Sequence, residues 1–224
     1  MSDNLKATLA YVAPFAVFLV LLGIEHGLDL PVQYAYPARC VIAAVVLLVF
    51  SRSVISLRPS APLLSVLAGV AVFVIWVGPD LLFGPGYRHF WLFENSLTGK
   101  AGGNIQAGLR DNALFLVLRA AGSTLLVPIV EELFWRGWMM RWLINPDFRK
   151  VSLGRYAPMA FWLSAVLFAS EHGAYWEVGL AAGIVYNWLI IRTKSLADCI
   201  LAHAVTNGLL AAYVVFGGYW QYWL

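Results

Sequence analysis

Charged residues are scarce in this chain. They make up 12% of its 224 residues, against about 25% in ordinary soluble domains. So few charges cannot clothe a large water-facing surface, and no segment is polar enough to hide a soluble domain. Cysteine is scarcer still. Cys40 and Cys199 both lie in apolar runs, which excludes a disulfide framework and a cysteine-ligated metal site. The net charge of +3 is too small to favour nucleic acid as a partner. A cleavable leader is also missing by pattern: Lys6 precedes the first apolar run, but Gly-Ile-Glu-His-Gly follows it in place of a small-residue cleavage site.

What the chain does have is hydrocarbon. Hydrophobic residues make up 61% of it, and they come in runs such as Thr8 to Leu28, Pro37 to Phe50 and Ala61 to Gly78. A helix needs about 20 apolar residues to cross a bilayer, and only a helix satisfies its own backbone there without a closed barrel. The expected fold is an all-α polytopic bundle of about seven spans, between six and eight. The spans fall near 8–28, 36–52, 61–78, 112–143, 157–172, 175–192 and 195–217. The fourth is too long for one straight crossing, and Pro128 is expected to divide or kink it. Residues 79–111 read as a long interfacial loop, broken by Gly84, Pro85, Gly86, Gly99, Gly102 and Gly103, with an aromatic stretch HFWLF at 89–93. The whole of 1–224 is expected to be one integral-membrane domain with a motif-bearing core near 112–217.

Basic residues in short loops set orientation. Arg52 and Arg58 mark one loop, Arg141, Arg149, Lys150 and Arg155 another, Arg192 and Lys194 a third. All three share a side if the N-terminus is cytoplasmic and the C-terminus, YWQYWL, is outside. Arg88, Lys100 and Arg110 in the long loop argue mildly against this.

Ionisable residues at membrane depth are costly and mark functional sites by default. Those inside the spans are Arg119, Glu131, Glu132, Arg136, Glu171, His172, Glu177, Asp198 and His203, with Asn187 and Asn207 as neutral company. Glu132 and Arg136 are four apart, the favourable order for an ion pair, while Glu131 points about 100° away. One glutamate can therefore hold the arginine while its neighbour faces a cavity. Phe168 and His172 share a helix face by the same spacing, as do His203 and Asn207. Counted from the basic ends, Glu131, His172 and His203 lie roughly 18, 22 and 12 Å deep, so three helices can bring them into one cavity within the bilayer. A lone histidine in a span is often no more than a helix–helix hydrogen bonder, and a Glu132–Arg136 pair alone reads as structural. The acid with two histidines on separate helices carries the case. His26 and His89 read as end-of-helix residues, Glu171 and Glu177 as near the outer surface; spacing does not place Arg119 or Asp198.

EELFWR (131–136), FASEH (168–172) and HAVTN (203–207) resemble, in order, the EExxxR, FxxxH and HxxxN motifs of the CAAX-protease and bacteriocin-processing (CPBP) intramembrane proteases, relatives of the Ras-converting prenyl endoprotease. The resemblance covers about 128–210. The closing AHAVTNGLLAAYVVFGGYWQYW is similar to CAAX-protease-related proteins linked to bacterial exosortase (PEP-CTERM) sorting, which implies a bacterial inner membrane. The family implies that Glu131 activates water with His172 as partner, that His203 and Asn207 stabilise the oxyanion, and that Glu132 and Arg136, with Phe168, support the site. A desolvated carboxylate suits a base, and Asn or His donors suit an oxyanion. No serine or cysteine nucleophile is placed to compete, and nothing activates Thr206.

The implied partners are the lipid bilayer and a membrane-anchored protein or peptide substrate. Whether a metal takes part is open from the residues. Glutamate with two histidines can hold zinc, here through Glu131, His172 and His203, yet there is no HExxH, and metal-free catalysis is favoured. Two other functions fit the same buried polar residues: a relay in a scaffold or transporter, and a non-proteolytic immunity or binding protein.

Overall fold

A computed structural model describes residues 3–84, 86–103 and 105–223; Pro85 and the terminal Leu224, named above, lie outside them. The chain is helical throughout, with one isolated bridge, between Asn95 and Gly99, in place of any strand among the described residues. In chain order the helices are α1 (Asp3–Gly27), α2 (Val32–Phe50), α3 (Pro62–Phe83), α4 (Ala113–Trp142), α5 (Pro158–Ser170), α6 (Trp176–Thr193) and α7 (Leu196–Gly217). Six of the described helices, all but α5, are long and apolar enough to cross a membrane, α6 counting from Gly173. This is an integral membrane protein built as a polytopic helical bundle.

α5 departs from expectation. Its 13 residues rise about 20 Å, short of the roughly 30 Å hydrocarbon thickness, so the helix proper does not reach 172. It stops at Ser170, and Glu171 to Tyr175 turn back into α6. α3 departs the other way, running through Gly78 and Pro79 to Phe83, so the long loop begins at Gly84. Pro14, Pro37 and Pro79 all lie inside helices. Proline is tolerated there because neighbouring helices and side chains re-satisfy the freed carbonyls.

Pro128 neither divides nor breaks α4. The helix widens just ahead of it, in a π-helical stretch at Gly122–Leu126, and the Val127 N–H reaches back five residues to the Gly122 carbonyl. A second π stretch covers Leu133–Met139. Such stretches recur at functional sites.

Arg119 and Asp198, unplaced by spacing, have definite positions. Asp198 caps α3 from the first turn of α7: its carboxylate accepts from the Ser60 and Ala61 N–H groups at 3.1 and 2.9 Å and from Ser65 Oγ at 2.8 Å. Arg119 lies over the Tyr36 ring at 4.3 Å, joining α4 to α2. Arg88, scattered in the loop by sequence, is buried, bonding Asp80 at 2.9 Å and Glu177 at 2.6 Å while lying 3.9 Å from the Tyr175 ring centroid. Its charge is neutralised internally. The short basic loops share one end of the bundle, where the Gly154 backbone abuts Lys194. The turn after α1, the long loop, the α5–α6 turn and the C-terminal segment share the other, where Tyr175 Oη donates to the Gln221 carbonyl.

α3 and α7 pack at the closest approach in the bundle. A Cβ on Gly69 would overlap the Ala202 carbonyl oxygen and come within 2.8 Å of Val205 Cβ, the small-residue contact that helices use where water supplies no driving force. Thr206 Oγ1 seals the contact, donating to the Gly69 carbonyl at 2.9 Å. Gly69→Ala should therefore force the helices apart and cost about 1–3 kcal/mol, read as a lowered Tm in detergent; an unchanged melting curve would refute the contact.

Candidate active site

The site is built outward from Arg136. Its side chain and that of Glu132 are both fully buried, and Arg136 Nη1 meets Glu132 Oε1 at 3.1 Å. Arg136 Nε donates to Asn187 Oδ1 at 3.1 Å and Nη2 to the Gly183 carbonyl at 3.4 Å. Asn187 in turn donates to the Phe161 carbonyl at 2.8 Å and to Ser164 Oγ at 2.9 Å. The guanidinium lies 4.5 Å from the Phe168 ring centroid, a cation–π contact. Three helices, α4, α5 and α6, are thus tied through one cation. Sequence gave Asn187 no role; its only signal was an amide in an apolar run.

Glu132 does more than hold the arginine. Its Oε1 also accepts from His203 Nδ1 at 2.9 Å, so α7 joins the network. The His203 ring stacks on Tyr186 at 5.2 Å. His172, one residue past Glu171 in the turn, donates from Nδ1 to the Phe168 carbonyl at 2.8 Å. A carbonyl can only accept, so the Nδ1 proton is fixed and Nε2 of the neutral ring carries a lone pair. Phe168 therefore serves both sides, ring under Arg136 and carbonyl on His172. A Cβ on Gly179 would sit 3.0 Å from the His172 ring; glycine there leaves room for the imidazole.

Asn207 is held by a consequence of the wide turn. In a regular helix the Ser123 carbonyl would accept from residue 127, but that N–H is turned to Gly122, and residue 128 is a proline without one. Asn207 Nδ2 fills the gap, donating to the Ser123 carbonyl at 2.9 Å, and its second N–H stays free of that bond. Thr206 is occupied elsewhere: Tyr186 Oη donates to it at 2.7 Å while it donates to Gly69.

Glu131, His172, His203 and Asn207 all line one cavity of about 260 Å³. Phe15, Phe18, Trp76 and Tyr222 give its apolar walls. Glu131 Oε2 is buried with no hydrogen-bond partner from the protein. Glu171, exposed in the turn after α5 and so near the end of the bundle opposite the basic loops, also lines this cavity. Glu177 is engaged by Arg88. His26 lies in the last turn of α1, and His89 is exposed, 3.1 Å from Glu94.

Both histidines carry Nδ1 on an acceptor, which leaves Nε2 outward as in many metal sites. Among the described residues, however, no three His, Cys, Asp or Glu side chains converge to hold an ion.

The network predicts a split between folding and function. Arg136→Ala strands the Glu132 carboxylate in a dry core, which costs about 3–5 kcal/mol, and should collapse the yield of folded protein. Combining Glu132→Gln with Arg136→Met removes both charges and should restore yield on size-exclusion chromatography. A double variant no better than Arg136→Ala would refute the pairing.

Residues 113–209, a little under half of the chain, match the family described as type II CAAX prenyl endopeptidase Rce1-like. The matched segment contains EELFWR, FASEH and HAVTN, the three stretches that build the cavity. No curated protein and no solved structure matches the chain.

Proposed function

With residues 113–209 those of the Rce1-like family of membrane endopeptidases, we propose that this protein hydrolyses a peptide bond of a membrane-associated substrate with water activated by Glu131. The observation that carries this reading is the Glu131 carboxylate: buried, with Oε2 free of protein partners, in a cavity shared with His172, His203 and Asn207. A carboxylate left without a partner at membrane depth is costly, and a bound water relieves that cost.

In the proposed step Glu131 removes a proton from water as the oxygen adds to the scissile carbonyl carbon. His172 accepts the second hydrogen bond of that water through its Nε2 lone pair, the role its fixed tautomer permits. The oxyanion takes a hydrogen bond from the free N–H of Asn207. His203 can add one from Nε2 only as imidazolium, because Nδ1 already donates to Glu132. The proton held by Glu131 then passes to the leaving amine, the C–N bond breaks, and acid and amine are released with the site restored. Arg136 touches none of these atoms and sets the position of Glu132, hence of His203. Catalysis proceeds without a metal in this reading. The setting is a bacterial inner membrane with the N-terminus cytoplasmic, consistent with the shared end of the basic loops.

Glu131→Gln keeps shape and loses the base. It should insert and fold as the parent does while cleavage of membrane-anchored peptides, followed by mass spectrometry, falls about 10²–10⁴-fold. His172→Ala should fall close behind. Asn207→Ala should retain a remnant, since one oxyanion donor is worth about 10²–10³. Strong chelators should leave the parent active. Cleavage at the parental rate by Glu131→Gln would replace this mechanism with the relay reading.

A further inference from the structure

Beside the catalytic cavity lies a second chamber of about 1040 Å³. The two share Phe18, Leu22, Arg119, Ser123, Val127 and Glu171 as walls, so they adjoin. The second chamber differs from the bundle's lipid-facing exterior in being polar: Glu25, Asp29, Gln33, Arg39 and Gln106 line it. Two of its polar atoms have no hydrogen-bond partner although buried, Gln33 Oε1 and Arg39 Nε. Arg39 is only 5% exposed; its Nη1 is ion-paired with Glu25 at 3.2 Å, so its charge is met while its Nε donor is left over. Buried polar atoms in native proteins nearly always have a partner, and here the partner must come from whatever fills the chamber.

We infer that this chamber is a substrate subsite for a polar, unlipidated stretch of polypeptide lying on one side of the scissile bond; the inference rests on the proposed protease reading. An extended peptide supplies in alternation the N–H and C=O groups that Gln33 Oε1 and Arg39 Nε lack. An isoprenoid chain would supply neither and would leave both stranded. Gln33 and Arg39, which carry the unpartnered atoms, and Glu25, Asp29 and Gln106 beside them lie before residue 113, outside the matched segment, while Arg119, Ser123 and Glu171 on the shared wall lie within it. The chamber lies at the end of the bundle opposite the basic loops, beneath the turn after α1 and the long loop, so the peptide enters from that face.

The test uses Gln33→Cys and Gln106→Cys, each placed in a Cys40→Ala, Glu131→Gln background so that binding is read without turnover. Labelling by a charged, membrane-impermeant methanethiosulfonate is timed with two synthetic probes. One is a single-span peptide with a Gly-Ser-Gln-rich flank; the other is the same span with an apolar flank ending in a farnesylated cysteine. The polar-flank peptide should slow labelling at both positions about tenfold, a free-energy difference of about 1.4 kcal/mol, and the farnesylated probe should not. With Glu131 restored, labelling should lower cleavage of the polar-flank peptide by a similar factor. Protection by the farnesylated probe alone, or by neither probe, overturns the subsite. Because protection is measured in Glu131→Gln, failure of the subsite is distinct from failure of the catalytic reading, which would show as cleavage persisting in Glu131→Gln alone.

Discussion

One buried guanidinium holds the rest together. Arg136 has no contact with solvent, and in a dry bundle its donors are met by Glu132, Asn187 and the Gly183 carbonyl. Desolvation makes such a group expensive, and only complete hydrogen bonding offsets the cost. The requirement fixes where α4, α5 and α6 cross. Through the shared Glu132 oxygen it also fixes His203 on α7. A carboxylate that answers to a cation on one side and an imidazole on the other transmits position from the core to the cavity wall. Glu131 next to it is left out of the network by helix geometry alone, and that exclusion leaves it available to water.

Much of this was legible in the residues, for definable reasons. The apolar runs announced helices because hydrocarbon length is a hard constraint, and the spacing of Glu132 and Arg136 announced a pair because four residues make about one turn. Motif order brought Glu131, His172, His203 and Asn207 to one cavity. What escaped notice depended on partners distant in sequence. Asp198 has no meaning on its own helix; its role is to cap α3 through Ser60, Ala61 and Ser65. Arg88 looked like a topology marker because Glu177 is 89 residues distant and Asp80, read as part of the loop, belongs to α3. That Glu171 also lines the cavity escaped notice because apolar sequence continued past the point where α5 ends.

Pro128 shows how a local defect becomes a long-range contact. Sequence marks it as a kink, since an amide hydrogen is missing. The helix absorbs the defect by widening ahead of the proline, which leaves the Ser123 carbonyl without a helical donor. Asn207, on another helix and 84 residues distant, supplies it. The widened turn thus explains why Asn207 points where it does, and ties the shape of α4 to the side of the cavity assigned to the oxyanion.

The shortness of α5 reaches into the lipid. Met159, Trp162 and Val166 on its outer face are exposed, so acyl chains rather than protein cover it. A helix about 10 Å shorter than the hydrocarbon layer obliges the surrounding leaflets to dimple toward it, at an energetic cost that grows with each ångström of mismatch. The headgroups and their water are then drawn down toward the turn that bears Glu171 and His172. The protein thereby carries a locally thinned membrane with it, and the thickness of the host bilayer becomes a variable in how readily water reaches the cavity.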